Sequence, residues 1–173
     1  MNSLPTPADG FAPGYTEARA AWLRRVASSG GEVHGERHPG AGPQGDELWQ
    51  DFALFGDPRA HTVFVLACGT HGIEGYAGSA VMTEWLRRGG PGPLPAGAGV
   101  VLIHAVNPWG FAHWQRGTEN NVDLNRNFID FPALPPPNLG AVNGLRRKVG
   151  AARILAAFEP RSNTMKLGTM KAQ

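Results

Sequence analysis

Apolar and polar positions recur along this chain with two periods, and the switches between them mark out its elements. From Tyr15 to Ser28, Ala18, Trp22, Leu23 and Val26 recur at three- and four-residue spacing, with Arg19, Arg24 and Arg25 between them. That pattern predicts a helix with one apolar stripe. Thr16 is placed to cap its start, and Gly30-Gly31 to stop it. Residues 31–38 suit a short strand. In ELWQDFALFG, residues 47–56, Leu48, Phe52 and Leu54 share one alternation and Trp49, Ala53 and Phe55 the other. This predicts a strand with a partly buried second face.

HTVFVLAC, residues 61–68, is apolar on both alternations, which predicts a central strand covered on both faces. Tyr76 to Arg88 predicts a helix with Val81, Met82, Trp85 and Leu86 inward. VVLIHAV, residues 100–106, predicts a second buried strand. The order strand, helix, strand predicts a right-handed crossover between parallel neighbours. Residues 107–128 read as a long irregular stretch. PALPPP, residues 132–137, is excluded from a sheet interior, and residues 143–158 predict a last helix. The expected fold is one α/β domain, a mostly parallel or mixed sheet flanked by helices. In such sheets ligands sit beyond the carboxyl ends of the strands.

Composition narrows the setting. A chain of 173 residues, 42% hydrophobic and 17% charged, is long enough for one domain with a core. A single cysteine, Cys68, excludes an internal disulfide. Residues 1–15 lack the basic start and apolar stretch of an export signal, and the apolar run at 63–68 is too short for a bilayer. The expectation is a cytoplasmic protein without a membrane partner. The net charge of +2 divides unevenly: residues 1–145 carry −4 and residues 146–173 carry +6. No aromatic or arginine-rich pattern accompanies the basic end, so no nucleic-acid partner is expected. Residues 1–158 are read as the domain, and residues 159–173 as an atypical, disordered basic tail.

Two polar constellations fall at predicted strand ends. In ACGTHGIEGYAGSA, residues 67–80, Glu74 follows His71 by three residues. Zinc takes imidazole nitrogen and carboxylate oxygen at about 2.0–2.2 Å, and the glycines around His71 leave the backbone free to turn there. Taken alone, the pair is better explained by a solvated turn or cap. The second stretch, NPWGFAHWQRGTENNVDLNRNF, residues 107–128, brings Arg116, Asp123, Asn125 and Arg126 together. Arginine can hold a carboxylate by two parallel hydrogen bonds. A loop of turn-forming Asn and Asp with solvated arginines has the same composition.

His71-Gly72-Ile73-Glu74, then Asn107-Pro108-Trp109-Gly110-Phe111, then Asn121-Val122-Asp123-Leu124-Asn125-Arg126-Asn127-Phe128 resemble the zinc metallocarboxypeptidase family. Within it they are most similar to carboxypeptidase-like hydrolases near the succinylglutamate desuccinylase and aspartoacylase group. The resemblance runs over about residues 55–131. It implies a carboxypeptidase-like (phosphorylase/hydrolase-like) fold with His71 and Glu74 as two of three ligands to a zinc ion. It further implies that Asp123 orients His71, that Asn125 and Arg126 grip a substrate carboxylate, and that Arg116 polarises the scissile carbonyl as a catalytic residue. The implied reaction is hydrolysis of an amide beside a carboxylate, in a peptide C-terminus or an N-acyl amino acid.

Trp109 departs from the family pattern, standing where many relatives have aspartate, and the Arg116-to-Asn125 spacing is short. A second histidine ligand and a general-base glutamate should follow Phe128. The last histidine is His113, however, and only Glu159 follows Glu119. The chain therefore reads as the N-terminal portion of a metallohydrolase, with a carboxylate-binding remnant as the rival reading. Missing strands would leave a sheet edge open to self-association. His113 is a candidate substitute ligand, His104 a satisfied core histidine, and His34, His38 and His61 surface residues. A Cys68–His71 nucleophilic pair would need a setting that stabilises the thiolate.

Overall fold

The computed structural model describes residues 11–126. The expectations for residues 132–137, 143–158 and 159–173, and for Glu159, lie outside these residues. In chain order the elements are α1 (Tyr15–Ser28), β1 (Glu32–Ala41), β2 (Glu47–Gly56), β3 (Thr62–Ala67), α2 (Gly72–Arg87), β4 (Ala98–His104) and α3 (Pro108–His113). A single 3-10 turn, Leu124–Arg126, follows. The four strands form one mixed sheet in the order β1-β2-β4-β3. β2 is antiparallel to both β1 and β4, while β3 and β4 are parallel and joined through α2.

Trp22 and Val26 of α1 and Met82 and Leu86 of α2 close over Ala53, Phe55, Val100, Leu102 and Cys68. Fully burying a side chain of the Val, Leu or Met kind contributes about 1.5–3 kcal/mol, so this layer fixes both helices on the sheet. A second cluster, Tyr15, Ala18, Leu48, Ala105, Phe111 and Ala112, packs α1 and α3 at the end where His71 emerges. Several polar groups buried nearby are paired. The Tyr15 hydroxyl donates to the Trp49 carbonyl at 2.8 Å and accepts from the Trp49 amide at 2.7 Å. Arg19 donates twice to the buried Asp51, at 2.6 and 2.9 Å. His104, fully buried, stacks on Trp22 and shares a 2.9 Å hydrogen bond with Ser79 Oγ through Nε2. Its Nδ1 has no partner, so the core histidine is only half satisfied.

Several expectations change here. Among the described residues β3 stands at the edge of the sheet, where the expectation was a central strand, and Val63, Phe64 and Val65 are 46%, 57% and 54% exposed. Of its apolar residues, Leu66 packs against the core. α2 begins four residues earlier than the apolar spacing suggests. Its buried stripe is Gly72, Gly75, Ser79, Met82 and Leu86, so Val81 falls off the stripe and faces solvent. Small residues carried the signal that apolar counting overlooked. Thr16 does not cap α1: the N-cap position is Gly14, without a side-chain cap. The irregular stretch contains α3, started by the Asn107 side chain, which accepts from the Gly110 amide at 3.0 Å, with Pro108 behind it. His38 is buried, not a surface residue. No described helix is long and apolar enough to cross a membrane.

Candidate metal centre

β3 and β4 end side by side, and the backbone ties their exits together. The Cys68 carbonyl accepts from the Val106 amide at 2.9 Å, and the Gly69 carbonyl from the Asn107 amide at 2.8 Å. Gly69 turns with φ +72°, a conformation that favours glycine. Gly72 sits against the loop after α3. Its amide donates to the Gln115 carbonyl at 2.9 Å, and a Cβ there would run into the Gly110 carbonyl and the Gln115 backbone. The Asn107 side chain reaches on to the Gly117 carbonyl at 3.0 Å. These contacts bring the 115–123 loop against the first turn of α2, where His71 holds the N-cap position with extended backbone. Asn107 and Gln115 do this bracing. Sequence reading missed both as structural determinants; Asn before Pro at a helix start was the available signal for the first.

His71 meets Asp123 across the gap: Nε2 and Oδ1 are 2.9 Å apart. Asp123 also accepts from the Asn125 amide at 3.0 Å on Oδ1 and from Arg116 Nε at 2.8 Å on Oδ2. The His71 hydrogen bond, with Arg116 and the Asn125 amide behind it, holds the Asp123 carboxyl down at about 2. An ionised carboxylate only accepts. The proton of a neutral His71 therefore lies on Nε2, and the Nδ1 lone pair faces the other way. It faces Glu74, with Nδ1 and Oε1 3.6 Å apart. Two ligands about 2.0–2.2 Å from one zinc in a tetrahedron stand about 3.3–3.6 Å from each other. The observed separation suits two donors sharing a cation. The pair supplies two donor atoms of the kind zinc takes, and among the described residues no third His, Cys, Asp or Glu joins them in a group able to hold a metal.

The remaining expected site residues are placed as follows. Arg116 is committed through Nε to Asp123 and is otherwise largely exposed. Asn125 and Arg126 lie on the exposed 3-10 turn next to Asp123. Asn125 meets Asp123 through its backbone amide, and Arg126 Nη1 donates to the Asn125 carbonyl at 3.3 Å. His113 instead bonds the Ala41 carbonyl at 3.1 Å and stacks on Trp109 at 4.3 Å, which also gives Trp109 its place. Burial pushes the Cys68 thiol up to about 11, opposite to what a nucleophilic Cys68–His71 pair requires. A cavity of about 710 Å³, bordered by Glu17, Asp46, Tyr76 and Trp114, belongs to another side of α2. Tyr76 follows Glu74 by two residues, and positions two apart do not share a helix face.

Known proteins are similar to this chain over limited stretches. The UDP-N-acetylmuramate--L-alanyl-gamma-D-glutamyl-meso-2,6-diaminoheptandioate ligase of Escherichia coli (strain K12) is 47% identical over 57 residues, 32% of this chain and 12% of that protein. Among solved structures, a Zn-dependent exopeptidase from Parabacteroides distasonis superposes with a TM-score of 0.41 at 14% identity, covering 70% of this chain and 49% of that one. The Porphyromonas gingivalis glutaminyl cyclase gives 0.40 at 14% identity, over 72% and 58%. The Tannerella forsythia glutaminyl cyclase gives 0.38 at 12%, over 75% and 52%. The chain thus spans about half the length of each of these structures, and about an eighth of the ligase. The family described as "Protein of unknown function (DUF2817)" matches residues 11–141, which include every element above, and the chain belongs to that family.

Proposed function

We propose that this chain carries part of the centre of a zinc-dependent hydrolase of carboxypeptidase type, acting on an amide bond beside a carboxylate. The observation that carries the reading is the orientation of His71. Its Nε2 is taken by Asp123 and its Nδ1 faces Glu74 at 3.6 Å. His71 Nδ1 and Glu74 would hold the ion, and the third ligand and the general base would come from outside residues 11–126. Asp123 fixes the tautomer and angle of the imidazole, a task that raises the ligand's basicity.

Arg116 acts first on Asp123, since its Nε is spent there; its two terminal amino groups stay available to a substrate oxygen. The side-chain amide of Asn125 and the exposed Arg126 guanidinium suit the terminal carboxylate of a peptide or N-acyl amino acid, through paired hydrogen bonds. When bound, zinc supplies Lewis acidity towards the scissile carbonyl and lowers the pKa of water. The chain's own residues orient the ligand set and neutralise the substrate's charge.

Zinc content and hydrolysis of a panel of N-acyl amino acids, with His71→Ala as control, test this. Turnover that requires zinc and is lost in the variant is expected. The rival, a carboxylate-binding module without a working metal, has in its favour the lack of a third ligand among the described residues. It predicts carboxylate binding that is indifferent to zinc and to His71→Ala, with no turnover.

A further inference from the structure

Asn107 is fully buried, and three of its polar groups join three pieces of the chain. Its backbone amide donates to the Gly69 carbonyl, just past β3, at 2.8 Å. Its Oδ1 accepts from the Gly110 amide at 3.0 Å, which starts α3. Its Nδ2 donates to the Gly117 carbonyl, also at 3.0 Å. Gly110 makes room for this: a Cβ there would run into Asn107 Nδ2 and the Gln115 and Gly117 carbonyls. Aspartate, serine and threonine cap helices as asparagine does, but only the carboxamide presents an acceptor atom and a separate donor atom. The choice of asparagine over the other caps therefore answers to Gly117, not to α3.

Gly117 opens a loop that is closed on itself. The Thr118 amide donates to the Val122 carbonyl at 3.0 Å, and the Asn121 amide to the Thr118 carbonyl at 2.8 Å. The hydroxyl of buried Thr118 accepts from the Asn120 and Val122 amides at 3.3 and 3.4 Å. Residues 117–122 thus form one closed piece, and Asp123 is the next residue. Asn107 pins the entrance of the piece, and buried Leu124 lies just past its exit. Between them, Asp123 Oδ1 meets His71 Nε2 at 2.9 Å.

We infer that Asn107 is a positioning residue for His71: its bond to Gly117 holds the loop where Asp123 reaches His71 Nε2. Through that contact it keeps the imidazole proton on Nε2 and the Nδ1 lone pair towards Glu74, 3.6 Å away. The tolerance is small. A loop displacement of about 0.5 Å carries the 2.9 Å contact outside the ~2.7–3.2 Å range of N–H···O hydrogen bonds. Nothing then favours one tautomer of His71 over the other, and the ring is free to present a proton to Glu74 in place of a lone pair. The effect on the ring follows from this geometry alone, whereas its effect on zinc rests on the metal centre proposed above.

Asn107→Asp and Asn107→Ser in the full 173-residue chain test it. Both keep an oxygen to accept from the Gly110 amide and withdraw the nitrogen that reaches Gly117, and the serine variant does so without burying a charge. The first readout is the nitrogen NMR spectrum of the neutral His71 ring in metal-free protein, assigned against His71→Ala. The wild type should show the Nε2–H tautomer and both Asn107 variants a mixture of the two. The second is zinc affinity by calorimetric titration, which should fall about 10–100-fold in both. Met82→Ala, a change in the core beneath α2, should lower the melting temperature yet keep the wild-type ring spectrum. A ring held as the Nε2–H tautomer in both Asn107 variants overturns the inference. So do a wild-type ring in the other form, a Met82→Ala ring as altered as theirs, and zinc bound equally by wild type and variants. Unfolding of both variants overturns it as well, since Asn107 would then be a structural residue only. A wild type that binds no zinc defeats the metal centre, and the ring spectrum still decides the role of Asn107.

Discussion

A neutral imidazole can donate from either ring nitrogen, and at His71 the choice is made by Asp123. Replacing that carboxylate with an amide leaves the shape but allows the opposite tautomer. Asp123→Asn is expected to weaken zinc binding about 10–100-fold while leaving the melting temperature nearly unchanged, read by calorimetric titration and thermal melting. Arg116→Ala should weaken it less, since the Asn125 amide still holds the same carboxylate.

His104 tests a different property of single residues. Burial pushes its pKa down to about 3 from 6.5. Above pH 6.5 it is neutral in both folded and unfolded states. As pH falls from 6.5 towards 3, the unfolded chain takes up a proton that the folded one refuses, so stability falls. The slope approaches about 1.4 kcal/mol per pH unit. Denaturant melts between pH 6.5 and 4.5 should show that slope in the wild type and a flatter one in His104→Leu. Equal slopes would mean that His104 titrates normally.

Elements place the residues, and here the sequence was legible in some parts and silent in others. α1 and β2 were readable to both ends because each has a strong, single-period apolar pattern. β3 was legible as a strand but not as an edge, because a strand's own residues do not say whether a neighbour is present. The start of α2 was hidden by glycines and a serine on its buried stripe, where close packing replaces apolar bulk. α3 was hidden because six residues are too few to show a period. The Asn107 side-chain bond that starts it is a local interaction only geometry reveals.

Gly72 is where this matters for chemistry. Gly72→Ala puts a methyl group against the Gly110 carbonyl and the Gln115 backbone, and overpacking of this kind costs about 1–3 kcal/mol. It should lower the melting temperature and, by shifting the first turn of α2, weaken zinc binding as well. Met82→Ala, deeper in the same helix, should cost about 2–5 kcal/mol without a comparable change in metal affinity in the protein that remains folded.

At the largest scale, the described helices and mixed sheet carry two strand ends to a common edge, and the polar residues of two distant segments meet there. The pairing of His71 with Asp123 spans 52 residues. Residue order could suggest it only through resemblance, because composition offers the same loop with or without the contact. Among the described residues β3 has a strand neighbour on one side only.

The most direct measurement is a calorimetric titration of the metal-free full chain with zinc, alongside His71→Ala. The account predicts saturable binding of one ion per chain by the wild type and its loss in the variant. Wild-type protein that takes up no zinc, or a variant that binds it equally well, would contradict the account.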